Sequence, residues 1–180
     1  LSYSIWPTQS KNKNLLIFIH GTGAHKKWWY PIAPQFINYS NVIAIDLPGM
    51  GDSGFRQKYS IKDFGQCVIS IIEKEQSNLD IDNIFIVGHS LGGQVAGYVA
   101  SEEKELVSNL IMIDTFIRPP DWDPSQNEGG PLRMIKYYSD KTTILKRFRL
   151  LPQQECENEW FVRYIACLLY TSPSPRDRSS

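Results

Sequence analysis

The stretch that most constrains this chain is residues 84–93, which read Ile-Phe-Ile-Val-Gly-His-Ser-Leu-Gly-Gly. An apolar run ends at Gly88 and a helix-compatible segment begins at Leu91, so the stretch predicts a buried strand, a sharp turn and a helix. Gly88 and Gly92 place residues without a β-carbon on both sides of Ser90, which relieves crowding where the chain reverses direction. Such a turn would present the Ser90 hydroxyl clear of the sheet, where it can act as a nucleophile.

The helix predicted to start at Leu91 leaves backbone N–H groups unpaired in its first turn. The N–H of Leu91 is therefore placed to meet an oxyanion that forms at an attacked carbonyl. A bare Gly-x-Ser-x-Gly pattern is a weak signal, because glycine and serine are common residues. The predicted strand before Ser90 and the predicted helix after it strengthen the signal.

Apolar runs alternate with helix-like segments over the first two thirds of the chain. The strands are predicted at residues 1–6, 15–19, 42–45, 84–87 and 110–113. The helices are predicted at residues 28–39, 60–76 and 91–103. Strands that are apolar on both faces and are separated by helices predict an α/β fold, with a mostly parallel central sheet and helices on both of its faces.

Composition excludes few function classes. Nineteen Lys and Arg balance nineteen Asp and Glu, so the net charge gives no reason to expect nucleic acid as a partner. No apolar run approaches the ~20 residues of a membrane span, and neither a metal site nor a cofactor is predicted. The cysteines Cys67, Cys156 and Cys167 are scattered, which favours free thiols in a reducing compartment, with the cytoplasm as the default location. The oligomeric state stays open.

The pattern changes beyond the core predicted for residues 1–116. A long connection rich in proline, aspartate and glycine starts at Arg118, and short helical patterns follow at residues 132–138, 142–150 and 157–169. We interpret residues 117–166 as the start of a helical cap or lid.

The last residues have a different character. Residues 167–178 resemble a translated sequencing-adapter tail, and the alternative is an ordinary disordered tail rich in serine and proline. We therefore expect residues 167–180 to be non-native or disordered. The chain also begins at Leu1 rather than methionine. We expect it to be a fragment that is truncated at its C-terminus, inside or just after the cap, and joined to the adapter-like tail, and we expect its N-terminus to be incomplete as well.

Four segments, in order along the chain, resemble the α/β-hydrolase superfamily. They are His-Gly after a strand at residues 20–21, Asp-x-Pro-Gly-x-Gly-x-Ser at residues 46–53, Gly-His-Ser-Leu-Gly-Gly at residues 88–93, and Ile-Asp at residues 113–114. The resemblance implies a partial α/β-hydrolase fold that is followed by the start of a helical cap. It also implies a serine hydrolase of the esterase type.

The resemblance assigns further roles. It places the strands at residues 15–19 and 84–87 side by side, which brings the loop with Gly21 and Thr22 over Ser90. Backbone N–H groups in that loop and at Leu91 would then form an oxyanion hole. A minority of the superfamily places the acid of its catalytic triad at the position of Asp114, which makes Asp114 a candidate acid.

The three histidines are not expected to supply the catalytic base. His20 is predicted to orient its loop, and His25 to line the entrance or lie exposed. His89 is predicted to point away from the turn as a pocket or packing residue. In this fold the base follows the nucleophile and the acid along the chain, but no histidine follows His89. The chain as given is therefore predicted to be inactive, with the base and the usual acid outside it.

Three functions stay open from sequence. The first is hydrolysis of a carboxylic ester or related acyl bond in a small molecule, through an acyl-enzyme at Ser90. The second is a catalytically inactive module that binds a small ligand, and the third is an acyltransferase or a lyase on the same scaffold. A serine at position 90 argues against the dehalogenase and epoxide-hydrolase branches, because these need a carboxylate nucleophile.

Overall fold

The computed structural model describes residues 1–117, Thr142 and residues 155–171. The cap helices predicted at residues 132–138 and 142–150 lie outside the described residues, apart from Thr142. Within the described part, no helix is long and apolar enough to cross a membrane.

The described part is built on one five-stranded sheet in the order β1-β3-β2-β4-β5. The strands are β1 (Ser2–Trp6), β2 (Asn14–Ile19), β3 (Asn41–Asp46), β4 (Asn83–His89) and β5 (Val107–Ile113). β1 runs antiparallel to β3, and all the other neighbours are parallel. The predicted class, an α/β fold with a mostly parallel sheet, is therefore confirmed.

Helical elements cover both faces of the sheet. The α-helices are α1 (Ile61–Asn78), α2 (Leu91–Glu102) and α3 (Glu159–Thr171), and two short 3₁₀ helices span Lys26–Trp29 and Ala33–Phe36. In β2, Leu15, Ile17 and Ile19 join the core under α1 and α2. Leu16 and Phe18 point to the other face, where they pack with Ala33. Burial on both faces explains why the central strands read as unbroken apolar runs.

α1 begins where its sequence predicts. The Ser60 hydroxyl accepts a hydrogen bond from the backbone N–H of Asp63 at 3.1 Å and donates to the Asp63 carboxylate at 2.6 Å, which satisfies a donor of the first turn. Further along, a β-carbon at Gly65 would collide with the ring of Tyr98 on α2. The missing side chain thus lets the two helices pack closely over the sheet.

The prediction of one helix at residues 28–39 is wrong. The chain forms the 3₁₀ helices Lys26–Trp29 and Ala33–Phe36 in that region, with a turn between them. Pro34 lacks the N–H group that a continuous α-helix needs at that position, and this outweighs the apolar spacing. At the other end of the sheet, β5 starts three residues before the predicted apolar run, because its exposed edge tolerates Ser108 and Asn109.

α3 lies where the sequence predicts a short helix at residues 157–169. Its residues Ile165 and Ala166 are buried, and the Tyr164 hydroxyl donates to the backbone oxygen of Lys27 at 2.6 Å. The helix extends to Thr171 and so includes the first residues of the predicted tail. The domain boundaries and the origin of that tail stay predictions.

Candidate active site

The turn at Ser90 joins β4 to α2 within a single residue. Ser90 has φ 51° and ψ −116°, a conformation that is rare for a residue with a side chain. Its side chain makes no capping hydrogen bond to the helix that it precedes. Backbone strain of this kind costs on the order of 1–3 kcal/mol and is concentrated at functional sites.

Missing side chains make the turn sterically feasible. A β-carbon at Gly88 would collide with the backbone oxygen of Gly92. A β-carbon at Gly92 would collide with the backbone oxygen of Ile19, at the end of β2. Both clashes involve backbone atoms, which cannot rotate away. The two glycines that were predicted to flank the turn are therefore required by its geometry.

The loop at residues 20–25, here called the His20 loop, lies against Ser90. β2 and β4 are parallel neighbours with Ile19 opposite Gly88, so the segments that follow them emerge side by side. A β-carbon at Gly21 would lie 3.1 Å from the β-carbon of Ser90 and 2.9 Å from Nδ1 of His89. The predicted proximity of the two segments is present in the structure.

Contacts from β5 hold the backbone of the Ser90 turn. The N–H of Ser90 donates to the backbone oxygen of Ile113 at 2.9 Å, and the Thr115 hydroxyl lies 3.3 Å from the backbone oxygen of Ser90. A β-carbon at Gly93 would collide with that hydroxyl. Sequence reasoning missed Thr115, because its only visible signal is its place after a strand end.

His20 is a structural residue of the loop, as predicted. Its ring is buried, with Nδ1 2.8 Å from the backbone oxygen of Gly21 and Nε2 3.1 Å from the backbone nitrogen of Leu47. Because the Leu47 N–H can only donate, Nε2 is the acceptor and the proton resides on Nδ1. Burial lowers the pKa of His20 to about 4, although the hydrogen bond to Gly21 opposes the shift.

The buried, neutral His20 predicts a pH-dependent stability. The pKa of His20 falls from 6.5 to about 4 on folding. Its contribution to the free energy of unfolding is therefore complete above pH 6.5 and is lost as the pH falls toward 4. Between pH 7 and pH 4.5 we expect the free energy of unfolding to fall by roughly 2 kcal/mol through this residue. Denaturant titrations at both values should show a smaller fall in His20→Gln, with His89→Gln as the control. An equal fall in all three proteins would contradict the assignment.

Asp46 and Asp52 tie down the glycine-rich loop at residues 46–54. Asp46 is fully buried and accepts from the backbone N–H of Asp52 at 2.9 Å. The partner that sequence reasoning missed is Lys26, whose ammonium lies 2.6 Å from each of the two carboxylates. Burial acts to lower the pKa of Lys26, but the two carboxylates have the larger effect, so the pKa of Lys26 is raised. The hydrogen bond from Lys26 lowers the pKa of Asp52.

The remaining candidate residues lie around the turn. His25 is buried, and its Nε2 lies 3.4 Å from the backbone oxygen of Leu168 on α3, so the expectation of an exposed residue is wrong. Burial lowers the pKa of His25. Asp114 has φ 47° and an 88% exposed side chain, with Oδ2 4.0 Å from Nε2 of His89. Asp114 and His89 therefore lie at the carboxyl ends of neighbouring strands, beside Ser90.

An open apolar groove of about 410 Å³ lies between α1, α2 and the end of β5. Its lining residues are Ile61, Gln94, Gly97, Met112, Phe116 and Ile117. In the described part of the chain, no group of three or more His, Cys, Asp or Glu side chains is arranged to hold a metal ion.

Comparison with known proteins identifies the family. A model of the alpha/beta hydrolase fold matches residues 14–149, which is well over half of the chain. The chain belongs to the α/β-hydrolase family. The resemblance drawn from the four sequence segments is therefore confirmed.

The similar proteins include esterases and other hydrolases. The pimeloyl-[acyl-carrier protein] methyl ester esterase of Pseudoalteromonas atlantica is 31% identical over 131 residues, 68% of this chain and 48% of that protein. The soluble epoxide hydrolase of a Corynebacterium species is 32% identical over 104 residues, 55% of this chain and 34% of that protein. A solved esterase from a marine microorganism superposes with a TM-score of 0.62 at 20% identity, over 92% of this chain and 62% of that one. The α/β-hydrolase chain thus spans about half the length of the esterase relative and a third of the epoxide hydrolase.

Proposed function

We propose that the whole protein is a serine hydrolase that cleaves a carboxylic ester or a related acyl bond through an acyl-enzyme on Ser90. The observation that carries this proposal is the conformation of Ser90, at φ 51° between a buried strand and the first turn of a helix. A chain keeps such strain where the side chain is needed in one direction. The match to an esterase supports an acyl substrate.

The proposed oxyanion hole consists of the backbone N–H groups of Thr22 and Leu91. Leu91 is the first residue of α2, so its N–H has no acceptor inside the helix. The close approach of Gly21 to Ser90 supports the second donor, because it brings the backbone of the His20 loop to the reacting oxygen. Each donor of this kind contributes about 3 kcal/mol to the stability of the transition state.

The base that takes the proton of Ser90 is proposed to be a histidine outside the given sequence. The ring of His20 is engaged by backbone groups on both nitrogens, and His25 contacts α3. Asp114 is the candidate acid within the described residues, since it lies at the end of the strand next to Ser90. The alternative is an acid that also lies outside the sequence. No cofactor enters the proposed reaction, which needs only the acyl substrate and water.

A fluorophosphonate probe tests the proposal, because it reacts covalently with an activated serine. We expect the whole protein to be labelled at Ser90 and the Ser90→Ala variant to lose the label. We expect the 180-residue chain to stay unlabelled, because it lacks the base that activates the hydroxyl.

The other outcomes separate the alternatives. If the whole protein is folded but unlabelled, the result favours a small-ligand-binding module over a hydrolase. Turnover without any covalent intermediate would favour a lyase. If the labelled protein transfers its acyl group to an alcohol or thiol in preference to water, it is an acyltransferase. Labelling of Ser90 in the 180-residue chain would contradict the proposed location of the base.

A further inference from the structure

Lys26 is buried, although lysine is almost never buried without a partner. Only 5% of its surface is exposed, and it directly follows the His20 loop. Its neighbour Lys27 has the same charge, yet 43% of the Lys27 side chain is exposed. A buried charge at this position needs a reason, because removing an ammonium group from water costs several kcal/mol unless it is compensated.

The Lys26 ammonium uses all three of its donors. It lies 2.6 Å from Oδ2 of Asp46, 2.6 Å from Oδ2 of Asp52 and 2.8 Å from the hydroxyl of Ser2. These partners come from β1, from the last residue of β3 and from the loop that follows β3. One side chain thus joins three separate segments of the chain at the end of the His20 loop.

The backbone of Lys26 binds the same carboxylate as its side chain. Its backbone N–H donates to Oδ1 of Asp46 at 2.7 Å, while its ammonium binds Oδ2. Two contacts from one residue to the two oxygens of one carboxylate fix the backbone of Lys26 as well as its side chain. This separates the arrangement from an ordinary ion pair, which leaves the backbone free.

The other end of the His20 loop is fixed to the neighbouring residue. Nε2 of His20 accepts from the backbone N–H of Leu47, which directly follows Asp46. Between the two anchors, the N–H of Ala24 donates to the backbone oxygen of Gly21 at 3.2 Å. Both ends of the loop that carries Thr22 are therefore held by the consecutive residues Asp46 and Leu47.

We propose that Lys26 is a positioning residue that holds the His20 loop in the geometry needed to bind an oxyanion beside Ser90. Its ammonium supplies the countercharge that keeps the buried Asp46 carboxylate turned toward the backbone N–H of residue 26. Its catalytic consequence rests on the proposed hydrolase function. The contacts of Lys26 with Ser2, Asp46 and Asp52, here called the clamp, are a property of the fold and do not depend on that function.

Substitution of Lys26 by methionine should loosen the loop. The Asp46 carboxylate would lose its countercharge, and a buried charge without a partner is strongly destabilised. We expect the carboxylate to move toward water and release the backbone N–H of residue 26. An oxyanion hole acts mainly in the transition state, so its distortion lowers kcat and leaves KM almost unchanged. We expect a fall in kcat of roughly 30-fold, less than the effect of deleting one donor outright.

Hydrogen exchange and kinetics on the whole protein test the clamp, with Lys27→Met as the matched control. In Lys26→Met we expect the amides of residues 21–26 to exchange at least about tenfold faster, whereas Lys27→Met leaves them unchanged. The double variant Lys26→Met/Asp46→Asn removes both charges and keeps an oxygen for the backbone N–H. It should recover most of the loop protection and most of kcat.

The remaining outcomes are decisive. If Lys26→Met is less stable but its loop exchange and kcat match those of Lys27→Met, the lysine has a structural role only and the proposal is wrong. If Lys26→Met does not fold, Asp52→Asn removes one of the two carboxylate charges that bind Lys26, on the exposed side. Loop exchange about threefold faster is then expected; no change would overturn the clamp. If the wild type has no esterase activity but the exchange results hold, the proposed function fails and the clamp stands.

Discussion

An alanine at position 92 is expected to lower the free energy of unfolding by roughly 3 kcal/mol. The added β-carbon would collide with the backbone oxygen of Ile19 and would lie 2.6 Å from that of His20. Neither atom can move without shifting the end of β2. Relief of the clash therefore requires that the start of α2 and the His20 loop separate, and these are the two segments that meet at Ser90.

Gly97→Ala is the matched control, since it adds the same methyl group to the same helix. A β-carbon at Gly97 would lie 3.6 Å from Cε of Met112, which is an ordinary contact with a flexible side chain. Alanine also favours the helix over glycine, so Gly97→Ala should be neutral or stabilising by up to about 1 kcal/mol.

Denaturant titration of the two variants measures the difference. A second clash variant, Gly88→Ala, should behave like Gly92→Ala, because its β-carbon would meet the backbone oxygen of Gly92. If Gly92→Ala and Gly97→Ala were equally stable, the close approach of α2 to the end of β2 would not exist in solution. The juxtaposition of Ser90 with the His20 loop would then lose its support.

The central part of the fold could be predicted from sequence because its signals are local. The runs at residues 15–19, 42–45 and 84–87 are apolar on both faces, and only a covered parallel sheet accommodates them. Ser60 and Asp63 mark the start of α1 by their own hydrogen bonds. The prediction of a helix at residues 28–39 was wrong because the apolar spacing was given more weight than Pro34, which cannot lie inside a regular α-helix.

In the candidate site, too, the features with local sequence signals could be predicted and those that depend on distant contacts could not. Ser90, Gly88 and Gly92 share one short segment, and the position of Gly21 follows from the pairing of the two strands. The burial of Lys26 could not be predicted, because it arises from contacts with Ser2, Asp46 and Asp52, which are distant in sequence. In the sequence Lys26 looks like Lys27, and only the packing distinguishes them.

The largest effect on activity is expected for Ser90→Ala in the whole protein, where kcat for ester hydrolysis should fall by about 10⁴-fold or more. The proposed mechanism forms a covalent bond between the Ser90 oxygen and the acyl carbon, and alanine cannot replace that atom. With an activated aryl ester, the wild type should release a burst of alcohol close to one equivalent per enzyme, and the variant should show none.

We expect Ser90→Ala to leave the fold and its stability almost unchanged. The side chain of Ser90 makes no capping hydrogen bond, and alanine has the same β-carbon at φ 51°, so the strain in the turn is retained. We therefore expect the melting temperature to change by only a few degrees. Ser101→Ala is the control on α2, the helix that follows Ser90, since its exposed hydroxyl donates to the backbone oxygen of Tyr98. It should keep both the burst and kcat.

A burst that persists in Ser90→Ala would place the nucleophile elsewhere and remove the reason for the strained turn. A loss of activity together with a large loss of stability would mean that the hydroxyl supports the fold, which contradicts its lack of a capping bond. Loss of the burst and of kcat at unchanged stability is the combination that the geometry predicts. This combination is expected when a strained backbone holds a side chain that takes part in the reaction and not in the packing.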